Sequence, residues 1–201
     1  MWPSFPFFLI IRFILWSKFA NNKLLFQVCL GFQIAAIQFA KDHLDLPAAT
    51  SEEFDSAGNS ENHVVVYMPE IDRNKLGGTM RLGLRETKFQ PDSEWSKLRA
   101  LYGGAEDIWE RHRHRYEINP KFVDKLEAAG LHFIGKDETG ERMEVFELKD
   151  HPFYIGTQFH AEYLSRVLQP SKPYLGFVAA SAGLLNSVLS LPNGTVYNGS
   201  V

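Results

Sequence analysis

The spacing of hydrophobic positions changes along the chain, and each change marks an element. Phe26-Gln27-Val28 is a short apolar run leading to Cys29, and Leu30-Gly31-Phe32-Gln33-Ile34-Ala35-Ala36-Ile37 follows with helix-like spacing. This predicts a strand that turns sharply into a helix running to about His43. Leu46-Pro47 ends that element, and Ala48 to Asn62 is small and acidic, a surface loop. Val64 to Met68 is a β-branched run closed by Pro69, so a strand. Leu76 to Gly83 is punctuated by glycine and predicts a turn, with a mobile lid or a hairpin as alternatives. Lys97 to Tyr102 and Ala105 to Arg111 predict short helices split by Gly103-Gly104.

Phe122, Leu126 and Ala129 recur at i, i+4 and i+7, so Pro120 to Ala129 is an amphipathic helix. Asn119 is its N-cap, Pro120 its first residue and Gly130 its stop. His132 to Gly135 and Glu144 to Leu148 form a hairpin around Asp137-Glu138-Thr139-Gly140. Phe153 to Phe159 is another strand, with His160 just past its end. Pro173 to Leu189 predicts one terminal helix, followed by a polar tail.

Composition narrows the class. A chain of 201 residues, 45% hydrophobic and 22% charged, is a globular domain able to bury a sizeable core. A net charge of −3 gives no reason to expect nucleic acid or an anionic membrane as partner. One cysteine excludes an internal disulfide and suits a reducing, cytoplasmic setting. No Cys/His cluster has metal-ligand spacing, so no metal is expected. Phe5 to Trp16 is apolar except for Arg12, yet too short and interrupted for a membrane span. It also lacks the basic start and cleavage site of a secretory signal, so the sequons at Asn193 and Asn198 are expected to be chance triplets.

Three features carry chemistry. Cys29 sits where a nucleophile would on a strand-to-helix turn, although a buried core thiol fits the same stretch. His160 ends a strand with Glu162 two residues on, the spacing of an oriented general base and equally of a structural pair. Arg111-His112-Arg113-His114-Arg115-Tyr116-Glu117 is either a solvated face or a site for an anion or a carboxylate, since guanidinium offers a forked, permanently charged donor set.

Taken together, four motifs point to a family. Cys29-Leu30-Gly31-Phe32-Gln33, Gly77-Gly78-Thr79-Met80-Arg81-Leu82-Gly83, Glu110 to Glu117 and Gln158-Phe159-His160-Ala161-Glu162-Tyr163 occur in this order. They resemble the C-terminal glutaminase domain of the CTP synthase family, a class I glutamine amidotransferase, over about Asn21 to Ser187. The resemblance implies an α/β fold with a mainly parallel central sheet flanked by helices. It implies a glutaminase in which Cys29 attacks glutamine, His160 serves as base and then acid, and Glu162 orients His160. Leu30 would supply an oxyanion N–H, Gln33 would bind glutamine, Glu53 would meet its α-amino group and Arg115 its α-carboxylate. The Gly77 to Gly83 loop resembles a lid associated in the family with GTP. No cofactor belongs to this domain, because ATP, magnesium, UTP and GTP serve the full-length enzyme. L-glutamine is the expected small-molecule partner and CTP synthase subunits the expected protein partner.

The chain departs from the family pattern at four places. Gln27 stands two residues before the nucleophile where the family has glycine, and is expected to strain the turn or move Cys29. The family's glycine-rich oxyanion loop is replaced by the Trp2 to Trp16 segment. The synthetase domain is absent, and Ala161 stands in place of proline. The expected organisation is therefore an atypical hydrophobic segment at 1–20, a partial amidotransferase domain at 21–187 and a tail at 188–201. Its sheet would be incomplete on the N-terminal side, with an exposed edge, and its first residues would reflect an altered start or gene boundary. The alternative function is a catalytically inactive fragment that associates with or regulates full-length CTP synthase; a tethered or secreted hydrolase is a third reading.

Overall fold

The computed structural model describes residues 23–55, 58–69 and 80–191. The hydrophobic start, the Gly77 to Thr79 part of the lid motif and both sequons lie outside them. In chain order the elements are β1 (Leu25–Val28), α1 (Leu30–His43), β2 (Thr50–Ser51), β3 (His63–Tyr67), β4 (Arg81–Phe89) and α2 (Lys97–Leu101). There follow β5 (Asp107–His114), β6 (Tyr116–Ile118), α3 (Pro120–Ala128), β7 (His132–Lys136), β8 (Met143–Glu147) and β9 (Tyr154–Thr157). A 3-10 turn (Ala161–Leu164) then leads to α4 (Lys172–Ser181) and α5 (Leu185–Leu189).

Six strands form one sheet in the order β1-β9-β8-β7-β4-β5, and β2-β3-β6 form a second, smaller one. Alternation along the strands builds a core on each face of the larger sheet. Phe133, Phe146 and Tyr154 point to one face and pack with α1, α3 and the small sheet. Ile134, Val145 and Ile155 point to the other and pack with residues of α2, α4 and α5. The first core is tied together by ring contacts, with Phe32 of α1 stacked on Phe146 at 4.8 Å between centroids. Gly156 is the register partner of Phe146, and a side chain there would run into that ring.

The α/β layering agrees with expectation, but the pairing does not. Among the described strands only β1/β9 and β2/β3 run parallel, while β3/β6, β4/β5, β4/β7, β7/β8 and β8/β9 are antiparallel. The connections from β7 to β8 and from β8 to β9 are too short for a crossover, which forces antiparallel neighbours. β1 ends the described sheet, with Leu25 buried and Phe26, Gln27 and Val28 half-buried.

Two predicted helices are corrected. Ala105 to Arg111 is not helical: residues 107–114 form β5, laddered to β4 from Lys88↔Asp107 to Arg81↔His114. Its buried positions are Ile108, Glu110, His112 and His114, so the inward side is mostly polar and the period of two is invisible to a hydrophobicity pattern. Pro173 to Leu189 is two helices rather than one. Gly183 takes φ 72° after α4, and Gly183 N–H bonds Ala180 O while Leu184 N–H bonds Ala179 O, closing the helix as a Schellman-type cap.

Three strands, β2, β4 and β6, are not predicted by the pattern, and β4 begins inside the Leu76 to Gly83 stretch expected to turn, while other elements agree with the pattern. α1 ends at His43. Asn119 caps α3 by accepting from the Lys121 N–H, with Pro120 next. The hairpin of β7 and β8 turns at Gly140, φ 79°. Among the described residues no helix is long and apolar enough to cross a membrane.

Candidate active site

The site begins at the junction of β1 and α1. Cys29 N–H bonds Thr157 O at 2.8 Å, extending the β1/β9 ladder by one residue. The chain then reverses at Cys29 itself, with φ 52° and ψ −107°. A non-glycine residue at positive φ is strained, and on a strand-to-helix turn such strain lifts the side chain off the sheet. Gln27 does not displace this turn. Its Oε1 lies where a Cβ at position 31 would be, so the absent side chain of Gly31 makes the room that Gln27 needs.

Cys29 opens into a cleft of about 250 Å³ lined also by Leu30, Gln33, Glu53, Met80, Arg113, His114, Arg115 and Tyr116. Every residue expected to bind the substrate is therefore gathered around the thiol. α1 supplies Leu30 and Gln33, the loop after β2 supplies Glu53, and the link between β5 and β6 supplies Arg115. Gln33 is buried, and its Nε2 donates to Tyr116 O at 2.8 Å and Gln158 Oε1 at 3.0 Å. Burial pushes the Glu53 carboxyl up, while the Arg115 guanidinium pulls it down.

His160 and Glu162 are not part of that lining. They follow β9, the strand hydrogen-bonded to β1, so both candidate catalytic segments leave the same end of two neighbouring parallel strands. His160 Nδ1 lies 2.6 Å from Glu162 Oε1. A carboxylate only accepts, so Nδ1 carries the proton and Nε2 is left as the basic nitrogen. The backbone of this turn is pinned by His160 N–H to Arg111 O at 2.8 Å.

The resting thiol is not activated. Cys29 Sγ donates to Arg113 O at 3.7 Å, and its pKa is pushed up to about 11. Burial is the largest cause, with the Glu162 and Glu53 carboxylates adding to it, while the Leu30 N–H and Arg113 act in the opposite direction. Desolvation outweighs the helix N-terminus here.

The basic run divides by strand alternation. Arg111 and Arg113 face outward, His112 and His114 inward, and Glu117 is buried against Arg142 Nε at 2.9 Å. The inward pair forms a cluster that the sequence reading passed over. His112 Nδ1 is 3.1 Å from His114 Nε2 and 3.5 Å from Glu144 Oε2, and Arg81 is 3.5 Å from Glu144 Oε1. By position His112, His114 and Glu144 could ligate a metal ion. However, His114 Nδ1 faces Tyr116 O, so it carries the proton and His114 Nε2 accepts from His112. The guanidinium of Arg81 already supplies a cation beside Glu144. The only signal in the sequence was a histidine at every second position of a strand.

The sequence matches the family Glutamine amidotransferase class-I over residues 12–180. The chain belongs to the class-I glutamine amidotransferases. Among its relatives are CTP synthase from Neurospora crassa, 56% identical over 193 residues, covering 95% of this chain and 33% of the relative. CTP synthase from Schizosaccharomyces pombe is 59% identical over 174 residues, covering 87% and 28%. The chain thus spans about a third of the length of these curated relatives. The fold is similar to the glutaminase domain of Trypanosoma brucei CTPS with bound acivicin, at a TM-score of 0.80 and 32% identity, covering 91% of this chain and 69% of that one. The amidotransferase fold and the CTP synthase resemblance read from the four motifs are therefore both supported.

Proposed function

We propose that this class-I amidotransferase chain is the glutaminase part of a cytoplasmic CTP synthase, hydrolysing L-glutamine to glutamate and ammonia, with the ammonia used to aminate UTP to CTP. The observation that carries the reading is the convergence of Cys29, Gln33, Glu53 and Arg115 on one cleft. A cation and an anion on its wall suit a zwitterionic amino acid, with Arg115 facing the α-carboxylate and Glu53 the α-ammonium. Both amide protons of Gln33 are already used, so its Oε1 is the atom offered to a substrate N–H.

In this reading glutamine displaces the Cys29 thiol from Arg113 O. The thiol proton moves to His160 Nε2 as sulfur attacks the side-chain carboxamide carbon. The tetrahedral oxyanion takes the Leu30 N–H at the start of α1. His160 returns the proton to nitrogen, ammonia leaves, and a glutamyl thioester remains. Water, deprotonated by the same nitrogen, then releases glutamate and restores the thiol. Glu162 holds the ring and stabilises its charged form. A thiol held near pKa 11 suits such coupled transfer, because sulfur becomes nucleophilic only when the base is aligned. Glutamate release from the full chain, with and without Cys29→Ala, tests the proposal; equal rates would overturn it in favour of an inactive fragment that associates with full-length CTP synthase.

A further inference from the structure

Glu110 is a buried carboxyl that the mechanism above does not use. It points inward from β5 and is only 4% exposed. Tyr102 OH, at the end of α2, donates to its Oε1 at 2.7 Å. Its Oε2 is buried without a hydrogen-bond partner among the described residues. An ionised carboxylate in that position would leave one charged oxygen desolvated and unpaired, whereas a protonated Oε2 leaves only a neutral group unpaired, which costs less. The residue after it fixes the catalytic turn, because Arg111 O accepts the His160 N–H. This brings the turn carrying Glu162 onto β5, and the Glu162 carboxylate acts on Glu110.

We propose that Glu110 is a positioning residue for the His160/Glu162 pair, holding a proton on its buried carboxyl so that Glu162 keeps the negative charge it presents to His160. The inference rests on the catalytic reading above. Two neighbouring carboxylates resist double ionisation, and their environments decide which one stays neutral. The Glu162 side chain is 42% exposed and bonded to His160 at 2.6 Å, so water and the imidazole both contact it. Glu110 is dry, and takes the proton.

The groups facing Glu110 are few. Tyr102 approaches from α2 and Glu162 from the 3-10 turn, and Arg85 is its register partner on β4. Around Glu162 stand His160, and Tyr174 from α4, whose hydroxyl the Glu162 charge pushes up. Burial, reinforced by Glu162, raises the Glu110 carboxyl to about 7, with the Tyr102 hydroxyl resisting. The carboxyl is thus largely protonated below neutrality, about half protonated near pH 7 and ionised above it.

The test is carbon NMR titration of the full chain carrying glutamate labelled at the side-chain carboxyl. The expected result is a glutamate titrating near 7, separate from the Glu144 signal near 8, that vanishes in Glu110→Gln, moves to lower pH in Glu162→Gln and moves to higher pH in Tyr102→Phe. The proposal is overturned if the signal lost in Glu110→Gln titrates in the ordinary carboxylate range, or does not move in Glu162→Gln. Should Glu110→Gln fail to fold, opposite shifts of the signal near 7 in Glu162→Gln and Tyr102→Phe decide the matter. A Glu110 too far from the pair to act on it would not respond to the Glu162 charge. The titration needs no turnover, so a failed Cys29→Ala comparison overturns the glutaminase reading while leaving this measurement to stand or fall separately.

Discussion

The thiol of Cys29 is donated to the backbone carbonyl of Arg113, 3.7 Å away, across the cleft from the helix that would activate it. A pKa near 11 means that alkylation by iodoacetamide, without glutamine, should be slow at neutral pH and still climbing above pH 9. Because the Glu162 charge raises this thiol, Glu162→Gln should speed alkylation several-fold at pH 8. The same variant should slow glutamate release by on the order of a hundredfold or more, since His160 loses its orienting partner. Opposite signs in the two assays are the expected outcome.

Arg115 and Glu53 face each other electrostatically across the same cleft. Removing one charged partner of a bound zwitterion costs about 1.5–3 kcal/mol. Arg115→Ala should therefore raise KM for glutamine by roughly 10- to 100-fold with a much smaller change in kcat, read from initial rates of glutamate release.

The buried cluster beneath the cleft sets the pH dependence of stability. Burial holds His112 down to about 2 and His114 to about 3, against an ordinary 6.5, and raises Glu144 from 4.5 to about 8. Between about pH 4.5 and 6.5 the two histidine protons that only the unfolded chain binds are offset by the protons that only the folded chain keeps on Glu144 and Glu110; below about 4.5 the histidines alone of these four differ, so stability falls with acid. Between 6.5 and 8 the folded state holds the Glu144 proton and part of the Glu110 proton, which the unfolded state does not, so stability falls as pH rises. Urea midpoints should crest between about pH 5 and 6, and Glu144→Gln should lessen the fall on the alkaline side.

Gly31 at the site is explained by the side chain it adjoins. Gly31→Ala would push a Cβ into Gln27 Oε1, the end of a flexible side chain that can shift. A loss of about 1–2 kcal/mol is expected, largely recovered in a Gln27→Gly background, which a double-mutant cycle would measure. Phe32→Ala removes a ring stacked on Phe146 in the fully buried core and should cost about 3–5 kcal/mol.

The elements that read correctly from sequence were those whose buried side is apolar. α1 and α3, the β7/β8 hairpin and β9 all advertise their cores through Leu, Ile, Val and Phe. β5 did not, because three of its four inward residues are Glu110, His112 and His114, whose burial depends on partners distant in the chain. The break at Gly183 was missed because an apolar run continued on both sides of it. Cys29, Gln33, Glu53 and Arg115 were nameable as residue types, but their shared cleft depends on the fold of β2, β5 and α1. The pairing of Gln27 with Gly31 was also hidden, since glutamine in place of glycine looks damaging until the space beside it is seen.

The alternation of β5 reaches beyond the folding of one strand. Arg111 and Arg113 face water while His112 and His114 face the core, and the assignment depends only on whether a position is odd or even. Deleting or inserting one residue between Asp107 and Ile108 would exchange every side, driving two guanidinium groups inward and exposing both imidazoles. Single substitutions can be absorbed here one at a time, whereas a change in length cannot. A change in length is therefore better accommodated in the loop before Asp107 than after His114, where Arg115 alone links β5 to β6 and lines the cleft.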